Sequence, residues 1–360
     1  MIRVLDAPTS ALEYSRLAPA ELVERIEARK RELNAVILGH NYQRVEIQAV
    51  SDFLGDSLGL SQEAAKTDAD VIVFCGVHFM AETAKVLSPE KTVLMPDARA
   101  GCPMADFVTA DSLRLLKANF PGAPVISYVN STAEVKAESD ICCTSSNAVE
   151  VAASFPVDQT LLFVPDRNLA RYTAEKTGRP FLTTSELMDP SAIAPGTIVA
   201  WDGYCYVHDD LVLDELAAAR SRYPNAKVVI HPEARRELLE QADYVTSTSA
   251  MVQIAGKHDE LIIGTERGLI DRLRAEFPEK TLIPLSGAAI CGNMKLNTLA
   301  KLAWSLDTMK HEVVLDEGIR LRAERALRRM LEIAGGWRAP TAEEEAIETD
   351  GLRATDCGCA

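Results

Sequence analysis

Several common devices are missing from this 360-residue chain. It has no Cys-x-x-Cys knuckle, which removes the usual paired-ligand framework of structural zinc. No Gly-x-Gly-x-x-Gly follows the first apolar run and no Gly-x-x-x-x-Gly-Lys-Ser/Thr occurs, so neither a dinucleotide fold nor a P-loop is supported. Long hydrophobic runs are absent too. The longest, VIVFCGVHFM at 71–80, is far short of the roughly 20 apolar residues that a membrane-spanning helix needs. The opening MIRVLDAPTS lacks the basic-then-apolar order of a signal peptide, so a cytoplasmic protein is expected. Positive charge is scarce: 38 Lys and Arg stand against 53 Asp and Glu, a net charge of −15. That balance argues against nucleic acid or an anionic membrane surface as a partner and favours a small-molecule substrate.

What is present is an ordinary globular mixture, 47% hydrophobic and 25% charged, in a chain long enough for two or three cores. Residues 18–34 read as a lead-in helix with a proline near its start. Short β-branched runs then alternate with Ala- and Leu-rich helical stretches: AVILG at 35–39, VIVFCG at 71–76, TVLMPD at 92–97, PVISYVN at 124–130, TLLFVPD at 160–166, GTIVAWDG at 196–203, KVVIHPE at 227–233, ELIIGTE at 260–266 and TLIPLSG at 281–287. Such alternation predicts parallel sheets covered by helices.

Cut into thirds, the chain follows one script three times. Each third opens with a strand ending in a polar tip: HNYQ at 40–43, YVNS at 128–131, HPEA at 231–234. A small-polar turn follows (GDSLG at 55–59, TSSNA at 144–148, TSTSA at 246–250), then a second strand and loop, then a third strand whose loop carries one cysteine: Cys102, Cys205 or Cys291. The tip-to-cysteine spacings are 62, 77 and 60 residues. The expectation is an α/β protein of three similar three-layer α/β/α domains, with parallel sheets related by a pseudo-threefold axis and an active site at their shared centre. The units span 35–117, 118–222 and 223–296, after a lead-in at 1–34. Helices at 297–336 and a mobile acidic tail at 337–360 complete the chain.

Eight cysteines in a reducing compartment point to metal binding or catalysis rather than disulfides, in competition with plain burial as small hydrophobes. Cys75, Cys142 and Cys143 read as core, and Cys357 and Cys359 fall in the tail. Repeat equivalence selects Cys102, Cys205 and Cys291. Three thiolates from three loops suit a [4Fe–4S] cluster whose fourth iron stays open to act as a Lewis acid. The turns bearing Ser57, Ser145, Ser247 and Thr248 suit anion binding at helix starts, although simple N-capping would use the same residues. Phe79 and Met80 suit either an apolar wall or the core, and His208, three residues after Cys205, either a supporting or a substrate-facing role.

These motifs resemble the quinolinate synthase family over roughly residues 35–300. The matching segments are GHNYQ at 39–43, GDSL at 55–58, GVHFMAETA at 76–84, AGCPMAD at 100–106, YVNSTAEVKA at 128–137, CTSSNA at 143–148, GYCYVH at 203–208, HPE at 231–233, TSTS at 246–249 and CGNMK at 291–295. The resemblance implies condensation of iminoaspartate with dihydroxyacetone phosphate to quinolinate, with loss of phosphate and water. It also implies hand-over of the imine from an L-aspartate oxidase or dehydrogenase. It implies Glu233 as general base, His231 and His40 as carboxylate or phosphate contacts that can carry protons, and Tyr42, Tyr128 and Asn130 as active-site groups near the open iron. In one respect the chain departs from some members: Cys291 is followed by GNMKLN rather than by further cysteines. Two other readings use the same equipment, an aconitase-like hydro-lyase and a non-enzymatic iron–sulfur sensor. The surplus of Ser, His, Tyr and Glu at strand tips stands against the sensor.

Overall fold

In the computed structural model residues 10–333 are described; the tail expected at 337–360, with Cys357 and Cys359, lies outside them. Thirteen strands are found among the described residues: β1 Ala35–His40, β2 Phe53–Gly55, β3 Val71–Cys75, β4 Thr92–Leu94, β5 Val125–Tyr128, β6 Ile141–Cys143, β7 Leu161–Val164, β8 Phe181–Thr183, β9 Ile198–Ala200, β10 Lys227–Ile230, β11 Tyr244–Val245, β12 Glu260–Gly264 and β13 Thr281–Pro284. They form three sheets, in the orders β2-β1-β3-β4, β6-β5-β7-β9-β8 and β11-β10-β12-β13. Every strand pairing within these sheets is parallel.

Apart from β8, the three orders are the same. Register makes the equivalence residue-specific. Gly39 pairs with Cys75 and Leu54, Ser127 with Val164 and Cys142, and Ile230 with Gly264 and Val245. The next residue in each case, His40, Tyr128 or His231, therefore occupies the same place at the carboxyl tip of its sheet. The inserted β8 edge strand accounts for the longer tip-to-cysteine spacing in the second unit. All nine strands expected from the sequence are found. The remaining four, β2, β6, β8 and β11, are edge strands of two or three residues, too short to display an alternating pattern.

Parallel strands are buried on both faces, and the alternation of side chains divides each sheet between two cores. Leu38, Ile72 and Phe74 of the first sheet, Ile126, Leu161 and Phe163 of the second, and Val229, Leu261 and Ile263 of the third all join one central cluster. The opposite faces pack separately. Ile37 and Val73 meet the helices Pro19–Leu33 and Leu299–Thr308; Leu162 and Val199 meet Ala110–Asn119; Val228 and Ile262 meet Leu213–Arg222. Each sheet thus lies between two helical layers, and the three inner layers share a core.

The lead-in helix, Pro19–Leu33, has Pro19 in its first turn and ends at Asn34 in the left-handed conformation, φ 46°. The C-terminal helix Glu317–Glu332 packs against the helices Ala133–Ala137 and His78–Leu87 and against β6, clamping the second unit to the first. No helix among the described residues is long and apolar enough to cross a membrane.

Because the central cluster is common to all three sheets, a cavity in it weakens the whole molecule. Phe163→Ala, at a position with no exposed surface, is expected to lower unfolding free energy by about 3–5 kcal/mol in denaturant titration. Val157→Ala, at an exposed position, should change it by less than about 0.5 kcal/mol.

Candidate active site

At the carboxyl ends of the three sheets the strand tips meet around one cavity. Alternation continues for a few residues beyond each strand, so positions i and i+2 of each tip face the same way. His40 and Tyr42, Tyr128 and Asn130, and His231 and Glu233 all line the cavity, while the residues between them do not. The small-polar turns supply Asp56 and Ser57, Thr144 and Ser145, and Thr248. The cysteine loops supply Cys102, Cys205 and Cys291, with His208. Phe79 and Met80 form part of the apolar wall.

Of the residues selected from sequence, Ser247 alone is not brought to the lining. It is the buried N-cap of the helix Thr248–Lys257, although its hydroxyl makes no capping bond. Thr248, the first residue of that helix, takes the place at the cavity, and its Oγ1 accepts a 2.9 Å hydrogen bond from Asn41 Nδ2. Ser57 is likewise a first helical residue; Asp56 is the cap, accepting from the backbone N–H of Gly59. Asp56 and Thr144 also line the cavity and were not anticipated. Their side chains are adjacent in sequence to Ser57 and Ser145, but nothing in the sequence says which of two neighbours faces inward.

Glu233 is the centre of the polar side. It is 3% exposed, and Oε2 accepts from His208 Nδ1 at 2.7 Å while Oε1 accepts from the Tyr128 hydroxyl. Burial on its own would favour a neutral carboxyl. The neighbouring His231 and His208 rings, with the hydrogen bonds from His208 and Tyr128, outweigh burial and hold Glu233 well below the usual carboxylate range. Burial, reinforced by the charge of Glu233, raises both Tyr42 and Tyr128, so both phenols keep their protons.

His40 and His231 occupy register-equivalent tips and are held alike. In each, Nδ1 accepts from a backbone N–H two residues on, that of Tyr42 at 3.1 Å and that of Glu233 at 3.4 Å. Burial lowers their pKa values to about 4 and about 3, so both rings are neutral near pH 7. A neutral ring with Nδ1 accepting carries its hydrogen on Nε2, and both histidines are therefore fixed as Nε2–H donors. Asn130 presents a buried Oδ1 that has no hydrogen-bond partner among the described residues.

The three cavity thiols are unbridged. Burial pushes Cys102 up to about 12 and raises Cys205 and Cys291; repulsion adds to it, from Cys291 and Glu233 at Cys102, from Glu233 and the other two thiols at Cys205, and from Glu266 at Cys291. Each sulfur also receives backbone N–H groups from the turn that follows it: Ala105 and Met104 for Cys102, His208 for Cys205, and Met294 and Asn293 for Cys291. A second donor set is available, since ligand atoms of Cys205, His208 and Glu233 lie within 4.8 Å of one another. In that set, however, both Glu233 oxygens and both His208 nitrogens are already engaged in hydrogen bonds. The three thiols are the better metal donors. Soft sulfur ligands with N–H groups aimed at them fit an iron–sulfur group.

Three parallel α/β units that meet at a proton-handling, cysteine-lined cavity define an α/β enzyme acting on small molecules. The chain belongs to the quinolinate synthetase A family, whose model matches residues 24–332. It is 51% identical over 311 residues to a quinolinate synthase of Dehalococcoides mccartyi, covering 86% of this chain and 97% of that protein. It is 48% identical over 316 residues to quinolinate synthase 1 of Methanosarcina acetivorans (87% and 98% covered), and 50% identical over 305 residues to a quinolinate synthase of Geobacter metallireducens (84% and 94% covered).

Thiols raised above neutrality must lose protons when they ligate a metal. Soft-metal affinity of the cluster-free protein, measured by Cd²⁺ titration, should therefore rise from about pH 6 to about pH 8. Cys102→Ser should reduce that pH dependence by about one proton.

Proposed function

We infer that this chain is a quinolinate synthase, condensing iminoaspartate with dihydroxyacetone phosphate and releasing phosphate and water. The observation that carries the reading is the meeting, in one cavity, of a buried carboxylate, two protonated phenols, two fixed Nε2–H donors and three thiols. The substrates are anions, and the cavity offers them neutral donors rather than bulk positive charge. His40, His231, Ser57, Ser145 and Thr248 form the cradle. Ser57 and Thr248 open ten-residue helices, whose first N–H groups add favourable partial charge.

Glu233 serves as the base that removes a proton from carbon next to a carbonyl or imine. Two of its lone-pair sites hold His208 and Tyr128, which aim the carboxylate and leave the others for the proton. Tyr128 and Tyr42 supply protons to departing oxygen, and Asn130 Oδ1 receives a substrate N–H or O–H. Cys102, Cys205 and Cys291 hold a [4Fe–4S] cluster with one iron free of protein sulfur, which supplies Lewis acidity for loss of hydroxyl. The shared register of the three sheets supports a pseudo-threefold relation among units at 35–117, 118–222 and 223–296. A cytoplasmic location and delivery of the unstable imine by an L-aspartate oxidase or dehydrogenase agree with this chemistry.

Protein reconstituted with iron and sulfide without oxygen should form quinolinate from the two substrates; its absence would overturn the reading. Glu233→Gln should keep iron yet lose activity by about 10²–10⁴-fold. Cys102→Ser, Cys205→Ser and Cys291→Ser should each lose iron.

A further inference from the structure

A cation outside the cavity settles the polarity of a hydroxyl inside it. Arg272 lies on the helix Arg267–Glu276 of the third unit, where its Nε pairs with Glu276 Oε1 at 2.8 Å. It does not line the cavity. Its Nη1 donates to Oδ1 of Asn41, the residue between the cavity-lining His40 and Tyr42 of the first unit. Asn41 has no exposed surface, and its backbone is held as well: its N–H donates to the carbonyl of Gly55 at 3.0 Å and its carbonyl accepts from Gln48 Nε2 at 3.2 Å. The other end of the amide, Nδ2, donates to Thr248 Oγ1 at 2.9 Å. Thr248, unlike Arg272, does line the cavity.

The chemistry of the groups gives this relay one direction. A guanidinium carries donors and no acceptor, so the end of the amide turned to Arg272 must be the oxygen. The amide N–H is then left for Thr248, whose oxygen accepts it. No acceptor for the Thr248 hydrogen is found among the described residues, which leaves that hydrogen for the cavity. Without the guanidinium the amide is free to turn over. Its oxygen would then take the Thr248 hydrogen, and the hydroxyl would face the cavity as an acceptor. The other units have no such amide, because register puts Val129 and Pro232 at the positions equivalent to Asn41.

We propose that Arg272 is a positioning residue that, by fixing the Asn41 amide, commits the Thr248 hydroxyl to donate to an anionic carboxylate or phosphate oxygen of the substrates. This rests on the quinolinate synthase reading, in which both substrates are anions. An anionic oxygen can only accept, so a hydroxyl of the wrong polarity loses a charge-assisted hydrogen bond and repels its ligand.

The test is calorimetric titration of anaerobically reconstituted holoenzyme with two probes, dihydroxyacetone phosphate and succinate, which separate the phosphate from the carboxylate source. Wild type, Thr248→Val, Arg272→Met, Arg272→Lys and the Thr248→Val/Arg272→Met double variant are compared, with iron content and melting temperature measured on each. Thr248→Val is expected to weaken at least one probe by about 10–100-fold. Arg272→Met should weaken the same probe by about 3–10-fold, and Arg272→Lys, which keeps a cationic donor, should bind it within about twofold of wild type. Because Arg272 acts through Thr248, the double variant should bind within about twofold of Thr248→Val alone. Iron content and melting temperature should hold throughout. Wild-type binding of both probes by Thr248→Val or by Arg272→Met would overturn the proposal. So would additive losses in the double variant, equal losses in the Met and Lys variants, or a loss that follows missing iron or unfolding. If the wild type formed no quinolinate, the functional reading would fail, while the titrations would still decide the role of Arg272.

Discussion

A carboxylate with almost no access to water governs the arrangement of this cavity. Taking Glu233 out of solvent would normally neutralise it, because an ion in a low-dielectric interior loses its hydration. The surrounding structure replaces that hydration with directed hydrogen bonds, from His208 to one oxygen and from Tyr128 to the other. Both donors come from the second unit, while the carboxylate that accepts them comes from the third. Tyr128 is at the tip of the second sheet and Glu233 beyond the tip of the third, so ionisation of the carboxylate depends on the units being packed together. The same packing leaves Tyr42, from the first unit, connected through Thr265 to His208.

Repetition supplies the geometry. Three sheets that share one strand order, apart from β8, and one register deliver three tips, three polar turns and three cysteine loops to one cavity. Cys102, Cys205 and Cys291 follow the register-equivalent residues Leu94, Val199 and Ile283 by eight, six and eight residues. The loops are further braced. Glu266, fully buried, accepts from the backbone N–H of Cys291 at 3.0 Å and pairs with Lys295, which also bonds the carbonyl of Tyr42. The third cysteine loop is therefore tied to the first strand tip. Tyr206, next to Cys205, reaches across to Cys291 and accepts from the N–H of Gly292 at 3.1 Å. A cluster held by such loops would be fixed by connections between units as much as within them.

Divergence within the repeat separates the roles. His40 and His231 keep the same tip residue and the same Nδ1 hydrogen bond, but the position two residues on is Tyr42 in one and Glu233 in the other. The middle unit has Tyr128 and Asn130 there. The position two residues past the tip thus yields a phenol, an amide and a carboxylate, three different chemistries from one scaffold position.

The sequence by itself determined a good deal. Alternating apolar runs identified nine strands and their parallel class, because buried strands must be apolar on both faces. The ordered repeat selected three of eight cysteines and the turns that accompany them. Much of the candidate site was legible for the same reason: strand tips are where a parallel sheet exposes side chains. Short edge strands such as β11 were not, since two residues carry no period. Nor could sequence decide that Thr248 rather than Ser247 faces the cavity, that Thr265 bridges Tyr42 and His208, or that Glu233 stays ionised. Those facts depend on contacts between residues tens to hundreds of positions apart, and only packing the three units around one core creates them.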